Sequence, residues 1–319
     1  MPEQIEQDAE VTSALHGKRL DQVAAELFPD FSRSRLQSWI KSGALTLDGA
    51  TVRPRDKVKI GAQLRLRAEL EDEVSWSGED IALNIIFEDE DIIVLAKPAG
   101  LVVHPAAGHA AGTLVNALLN HCPDLITLPR AGIVHRLDKD TSGLMVVAKS
   151  LRAHTSLVSQ LQERTVKREY AAVCIGAMTG GGTVDAPMGR HPRARKKMAV
   201  VAIGGKEAIT HYRLEQRFAN HTYVSVRLET GRTHQIRVHM AHLHHPLIGD
   251  AQYGGRPRLP KGAAPELIAA LRGFPRQALH ARALGLIHPV SGEHCQWEVE
   301  LPADLSSLLA CLGEYDKFA

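Results

Sequence analysis

The run Gly132-Ile133-Val134-His135-Arg136-Leu137-Asp138-Lys139-Asp140-Thr141-Ser142-Gly143-Leu144 has an apolar lead, a polar middle and an apolar exit. The exit continues as GLMVVAKS, short and apolar enough to be a buried strand. A polar loop held between core segments is where catalytic side chains tend to stand, because the scaffold fixes their aim. Taken alone, Asp138 or Asp140 is more often a turn cap than a catalyst.

Outward from that loop, the chain is dense in short elements. DIIVLAKPAG reads as a second buried strand, and LRAHTSLVSQLQERTV as an amphipathic helix. EYAAVCIG is apolar, AITHYRLEQRF and HTYVSVRLET alternate in the strand manner, and ALGLIHP and QWEVELP are further strands. RTHQIRVHMAHL and DLSSLLACLGEY read as helices. Strands outnumber helices and do not alternate strictly with them. The expected fold is therefore α+β, a mixed and mainly antiparallel sheet with flanking helices, rather than a doubly wound one.

Toward the N-terminus a separate small α/β unit is expected. KRLDQVAAELFP carries Leu20, Val23, Ala24 and Leu27 at helical spacing, and Pro29 ends it. SRSRLQSWIKSG is a second helix, with Ser32 or Ser34 as its cap and Gly43 at its end. The strand ALTLDG and the segment TVRPRDKVKIGAQLRLR follow. The expected divisions are a mobile tail over 1–15, the small unit over 16–68, an acidic linker over 69–80 and the large domain over 81–319.

The net charge is only +2, so its distribution matters more than its sum. From His16 to Arg67 there are 11 Lys/Arg against 5 Asp/Glu, and from Ala68 to Asp91 10 Asp/Glu and no Lys or Arg. From Pro187 to Arg213 there are 7 Lys/Arg and 1 Glu. Two basic blocks suit phosphate backbones, although a single charge run is usually just a solvated face. Arg33 and Arg35 stand at the positive end of the second helix, where the macrodipole disfavours cations. A phosphate bound there would reverse that penalty, and Lys41, Arg53 and Arg55 come from the same unit.

This first unit resembles the S-four RNA-binding domain, through Arg19-Leu20-Asp21, Ser32-Arg33-Ser34 and Leu45 with Asp48-Gly49. The central loop resembles the signature of the A-type and D-type pseudouridine synthases of large ribosomal RNA, whose core is H-R-L-D-x-x-T-S-G. His135, Arg136, Leu137, Asp138, Thr141, Ser142 and Gly143 match it throughout. DIIVLAKPAGLVVHP (91–105), KREYAAV (167–173), ETGRTHQIRVHM (229–240) and HPLIGDAQYG (245–254) resemble the remaining family blocks. The resemblance covers nearly everything from His16 onward, and the first unit points to the D-type branch.

The resemblance implies isomerisation of uridines in structured RNA, most naturally large-subunit ribosomal RNA. The chemistry suits these residues. Breaking a glycosidic bond builds oxocarbenium character on the sugar, which a nearby carboxylate can stabilise or trap. The departing base stays in the pocket, so one carboxylate, Asp138, can suffice. Arg237 is implied as its ion-pair partner, and helical spacing places His234 and Arg237 together, opposite Ile236, Met240 and Leu243. Tyr170 is implied to stack on the uracil. A base inside folded RNA must be flipped out of its stack, and Arg136 is implied to fill the vacated space. His135 and His234 are expected beside the RNA. Arg193, Arg195, Lys196 and Lys197 are expected in a mobile loop gripping its backbone. Without the resemblance, Arg237 reads as a solvent-exposed residue and Tyr170 as core.

The 17 His residues, with His239, His242, His244 and His245 close in sequence, invite a metal-dependent hydrolase, but no HExxH-like pattern is present. No metal and no cofactor is expected. The four cysteines form no CxxC pair. No apolar run is long enough for a membrane span. The start has no signal-peptide character. A cytoplasmic monomer that binds RNA is expected. The competing readings are a catalytically idle ribosome-assembly factor on the same fold and a synthase acting on transfer RNA.

Overall fold

The computed structural model describes residues 3–31, 33–70, 76–105, 111–194 and 197–318. The chain divides into two compact units, Met1–Ser75 and Trp76–Ala319.

The first unit holds β1 (Glu3–Glu10), α1 (Leu20–Leu27), α2 (Arg33–Ser42), β2 (Leu45–Leu47) and β3 (Gln63–Leu70). Its sheet runs β1-β3-β2, antiparallel throughout. Leu20, Val23 and Ala24 of α1 and Leu36 and Ile40 of α2 are sealed against Leu45, Leu64 and Leu66 of the sheet. Gly43 ends α2 at φ +83°, a backbone angle that costs glycine little. The expected mobile tail is corrected. Glu3–Glu10 pairs along β3 from Glu3↔Leu70 to Glu10↔Gln63. Val11 and Leu15 behind it are buried. The segment is too charged to look like a strand, but it is an edge strand, where outward charges are usual. The linker reading shrinks as well. Glu69 and Leu70 belong to β3, while Trp76 packs on the second unit's core and Glu79 accepts from the backbone N–H of Gly112. Residues 71–75 and Ser32 lie outside the described residues.

The second unit contains β4 (Ile85–Glu88), β5 (Ile92–Lys97), α3 (Leu114–His121), β6 (Ser142–Ala148), α4 (Leu151–Gln162) and β7 (Lys167–Ile175). Then come β8 (Gly182–Asp185), β9 (Met188–Arg190), β10 (Met198–Val200), β11 (Ile209–Arg217), β12 (His221–Leu228) and α5 (Gln235–His242). The chain closes with α6 (Pro265–Gly273), β13 (Leu279–Ile287), β14 (His294–Glu298) and α7 (Ala303–Tyr315). Among the described residues, the main sheet has nine strands in the order β4-β5-β6-β13-β7-β12-β11-β8, with β14 also on β13. Only β13–β6 is parallel, as a mixed, mainly antiparallel sheet requires. β13 is the fork: its first half pairs with β6 and its second half with β14.

The near-continuous apolar strands follow from burial on both faces. In β5, Ile93 and Leu95 enter one core while Ile92 and Val94 enter another, and β6 divides Met145 and Val147 from Leu144, Val146 and Ala148 in the same way. α3 and α5 contribute to the first core and α4 to the second, while α6 and α7 cover Ala171 and Val173 of β7. The loop from Ile133 to Thr141 enters β6 at the middle of this sheet.

Candidate active site

The loop carrying Asp138 is pinned by its own backbone. The carbonyl of Asp138 accepts from the N–H of Thr141 at 3.0 Å. That of Lys139 accepts from the N–H of Gly100 and the ammonium of Lys97, both at 2.9 Å. That of Asp140 accepts from Arg276 Nη1 at 3.2 Å, and Arg276 is itself held by Asp304 of α7. Gln277 Nε2 donates to Thr141 Oγ1, and Ser142 Oγ meets His280 Nδ1. Lys97 is 1% exposed and also donates to the carbonyls of Pro98 and Leu101. Burial pulls its pKa down to about 8, although Asp140 and Asp138 nearby work the other way. Gly143 follows the loop at φ +116°, and a Cβ there would stand 2.2 Å from the carbonyl oxygen of Ala281. Only glycine lets β6 approach β13 so closely.

Asp138 faces Arg237, whose Nη1 donates to Oδ2 at 3.0 Å. Arg237 is locked from behind: Nε and Nη2 donate to the fully buried Asp250 at 2.7 and 2.9 Å, and Nη2 reaches Gln252 Oε1 at 3.2 Å. Its guanidinium also lies 5.0 Å from the ring centre of Tyr253. Here the expectation of a one-sided amphipathic helix is corrected. Every residue from Gln235 to Met240 in α5 is buried, Arg237 included. The helix opens to solvent only in its last turn, where His242 is exposed, and its Arg237 cation is neutralised internally by two carboxylates.

His234 caps α5 in a left-handed conformation, φ +58°. Its Nδ1 lies 2.8 Å from Tyr253 Oη, which accepts from the N–H of Met198. The other ring nitrogen, Nε2, lies 3.8 Å from Asp138 Oδ1. Burial lowers the pKa of His234, against the pull of Asp138. Tyr170 of β7 is 6% exposed, and burial raises its phenol above the ordinary range, so it stands there as a neutral ring.

Asp138, Arg237, His234 and Tyr170 line one cavity of about 680 Å³, with Arg136, Arg168, Arg232 and Trp76 also on its wall. A cavity of that size takes a nucleotide. Arg136 is exposed. His135 also lines the cavity, but its Nε2 accepts the N–H of Val146, and burial drives its pKa to about 3. That nitrogen is therefore engaged with β6.

The remaining expected positions scatter. Arg33 is tied to Asp21 at 2.7 Å, together with Arg19 and Gln37. Burial would raise Asp21, but these bonds hold it down to about 2. Arg35 lies over Trp39, and Lys41 is exposed in the last turn of α2. Arg193 is exposed in the β9–β10 connection, while Lys197 is turned inward onto the carbonyl of Gln252 at 2.7 Å. Arg195 and Lys196 lie outside the described residues. In the His cluster, His239 is buried between Thr210 and the carbonyl of Ala186, and His245 meets the carbonyl of Ile175. Among the described residues no three His, Cys, Asp or Glu side chains converge as a metal site. Sequence reasoning assigned no role to Lys97, Arg168, Asp250 or Tyr253. The block HPLIGDAQYG was the signal for the last two, but nothing in it says that its Asp faces the Arg of the preceding helix.

The chain is similar to known proteins over nearly its whole length. The RNA pseudouridylate synthase family matches residues 91–242, and the S4 domain matches residues 18–64. Ribosomal large subunit pseudouridine synthase D of Pseudomonas aeruginosa is 61% identical over 314 residues, 98% of each chain. The protein of that name from Xanthomonas campestris is 56% identical, over 96% of this chain and 92% of its own. Human RNA pseudouridylate synthase domain containing 4 superposes with a TM-score of 0.57 at 25% identity, covering 72% of this chain and 93% of its own. The pinned aspartate, its neutralised arginine and these relatives together identify the chain as a member of the RNA pseudouridylate synthase family, carrying an N-terminal S4 domain.

Proposed function

We propose that this enzyme isomerises specific uridines of large-subunit ribosomal RNA, with Asp138 as the catalytic carboxylate. The observation that carries the assignment is the Asp138–Arg237 pair on the wall of a nucleotide-sized cavity, reached from a loop whose carbonyls are individually pinned. The relatives named for large-subunit synthesis, matching over almost the whole chain, support the ribosomal substrate.

In this reading a uridine is flipped out of its stack and enters the cavity with its sugar against Asp138. Asp138 meets the developing charge at the anomeric carbon. Arg237, fixed by Asp250, keeps the carboxylate aimed. Tyr170 stacks on the uracil and, as a neutral phenol, does not act as the base. Arg136, exposed at the cavity wall, fills the gap left in the RNA. The S4 unit, through Lys41, Arg53 and Arg55, and the β9–β10 connection, through Arg193, Arg195 and Lys196, hold phosphates. The enzyme works as a cytoplasmic monomer without cofactor.

The test is pseudouridine mapping of large-subunit RNA from cells lacking the protein, complemented with wild type or Asp138→Asn. Specific sites should revert to uridine and return only with wild type. Restoration by Asp138→Asn would remove Asp138 from the chemistry, and an unchanged map would move the substrate to another RNA, with transfer RNA mapped next.

A further inference from the structure

Arg168 and Tyr170 stand two residues apart in β7, so their side chains leave the strand on one face. Both line the cavity that holds Asp138. Arg168 is 7% exposed. Its Nη2 donates to the carbonyl of Glu229 at 3.1 Å, but its Nε is buried with no hydrogen-bond partner.

The neighbouring carboxylates are otherwise engaged. That of Glu229 meets His211 and Arg164, that of Glu169 meets Arg282 and Ser225, and that of Asp138 meets Arg237. Buried Arg237 and Arg276 each have a carboxylate, whereas among the described residues Arg168 has none. Space has been kept for it: a Cβ on Gly231 would stand 2.8 Å from Arg168 Nη1. A buried cation without counter-charge is costly for a fold, unless its partner arrives with the ligand.

We propose that Arg168 is a further catalytic residue, whose guanidinium binds the carbonyl oxygens of the flipped uracil and stabilises negative charge on the base. The proposal rests on the uridine entering this cavity against Asp138. When the ribose–N1 bond breaks heterolytically, its electron pair stays on the ring and spreads over O2 and O4. The ring then gives a pair through C5 to the anomeric carbon, and the C5 proton ends on N1, so no outside reagent is consumed. A buried donor aimed at developing charge acts without solvent reorganisation. A backbone phosphate would also answer the charge. The base is favoured because Arg168 and Tyr170 are both more than nine-tenths buried. A planar neutral ring enters such a place readily, whereas a phosphate would have to shed its water.

The experiment compares single-turnover rate and RNA dissociation constant for wild type and Arg168→Met on an RNA with one target uridine. Arg168→Met should lose about 100-fold or more in rate at saturating RNA, the usual scale for one such donor, with an RNA dissociation constant close to wild type. Full activity would overturn the proposal. Weakened binding with an unchanged saturating rate would assign Arg168 to a phosphate and overturn the uracil assignment. Should the variant fail to fold, wild type alone decides. A target 2-thio- or 4-thiouridine, whose sulfur accepts poorly, should react more slowly than uridine, and equal rates with both would sink the idea. Asp138→Asn separates the two readings. If it is inactive while Arg168→Met is fully active, only this inference fails; if it is active, the pocket assignment itself fails.

Discussion

Asp138 owes its position to residues far from it in the chain. Arg237 reaches it only because Asp250, fully buried, takes the other edge of the same guanidinium. Asp250→Ala would leave a buried arginine half unpaired, and breaking a buried pair this way costs about 3–5 kcal/mol. Chemical denaturation should show that loss, and turnover should fall even where the variant is fully folded, because the guanidinium is then free to rotate. Wild-type stability and turnover would show that Asp250 does not fix the pair. Lys97 makes a pH prediction. Its folded pKa of about 8 lies below the ordinary 10.5, so the folded state gives up this proton first. The buried charge therefore subtracts from stability below about pH 8. That penalty fades as pH rises toward 10.5, a swing of about 3 kcal/mol. Lys97→Met cannot titrate, so its stability should lack this rise between pH 8 and 10.5. A curve parallel to wild type across that window would mean that the ammonium is not destabilised by burial.

At the scale of elements, β1 and α5 show what pattern reading misses. β1 has one large apolar residue, Ile5, and six Asp, Glu or Gln within EQIEQDAE, so neither periodicity nor propensity announces it. What makes it a strand is the free edge of β3, a long-range partner that no local window contains. Removing residues 1–15 should therefore destabilise the first unit by about 3 kcal/mol or more, the burial worth of Val11 and Leu15 alone. A mobile tail would be removed with no change in melting. α5 fails in the opposite direction. Its spacing suggested an apolar face and an open polar face, yet Gln235 to Met240 are all buried, with Arg237 satisfied by Asp250 and Gln252, and His239 by Thr210 and the carbonyl of Ala186. By contrast, the strands of the central sheet were legible because burial on both faces demands continuous apolar runs.

Over the whole molecule, net charge says little, because the cations are clustered and several are internally spent. Arg19 and Arg33 neutralise Asp21, and Lys197 holds Gln252, while Lys41, Arg53 and Arg55 stay exposed. Replacing these last three by Ala in the full-length protein should weaken RNA binding and flatten its salt dependence. The slope of log K against log salt should fall by roughly 0.7–0.9 for each phosphate that is no longer neutralised. An unaltered slope would take these three side chains off the RNA.

The sequence by itself determined the family, the α+β class and the loop that bears the candidate aspartate. Those rest on local chemistry: residue types at fixed spacing, and apolar runs that only burial on both faces explains. It also marked Arg237 and Tyr170 through the same blocks. Tertiary structure decided which charges are free and which are spent. Arg33 and Lys197 read as RNA-binding positions, and the fold engages Arg33 with Asp21 and Lys197 with the carbonyl of Gln252, while Arg168 passed unnoticed and is, among the described residues, a buried cation left without a carboxylate. The reason is physical. A side chain's availability depends on what faces it across the fold, and pairs such as Arg237 with Asp138, 99 positions apart, are made by the sheet and not by the chain between them.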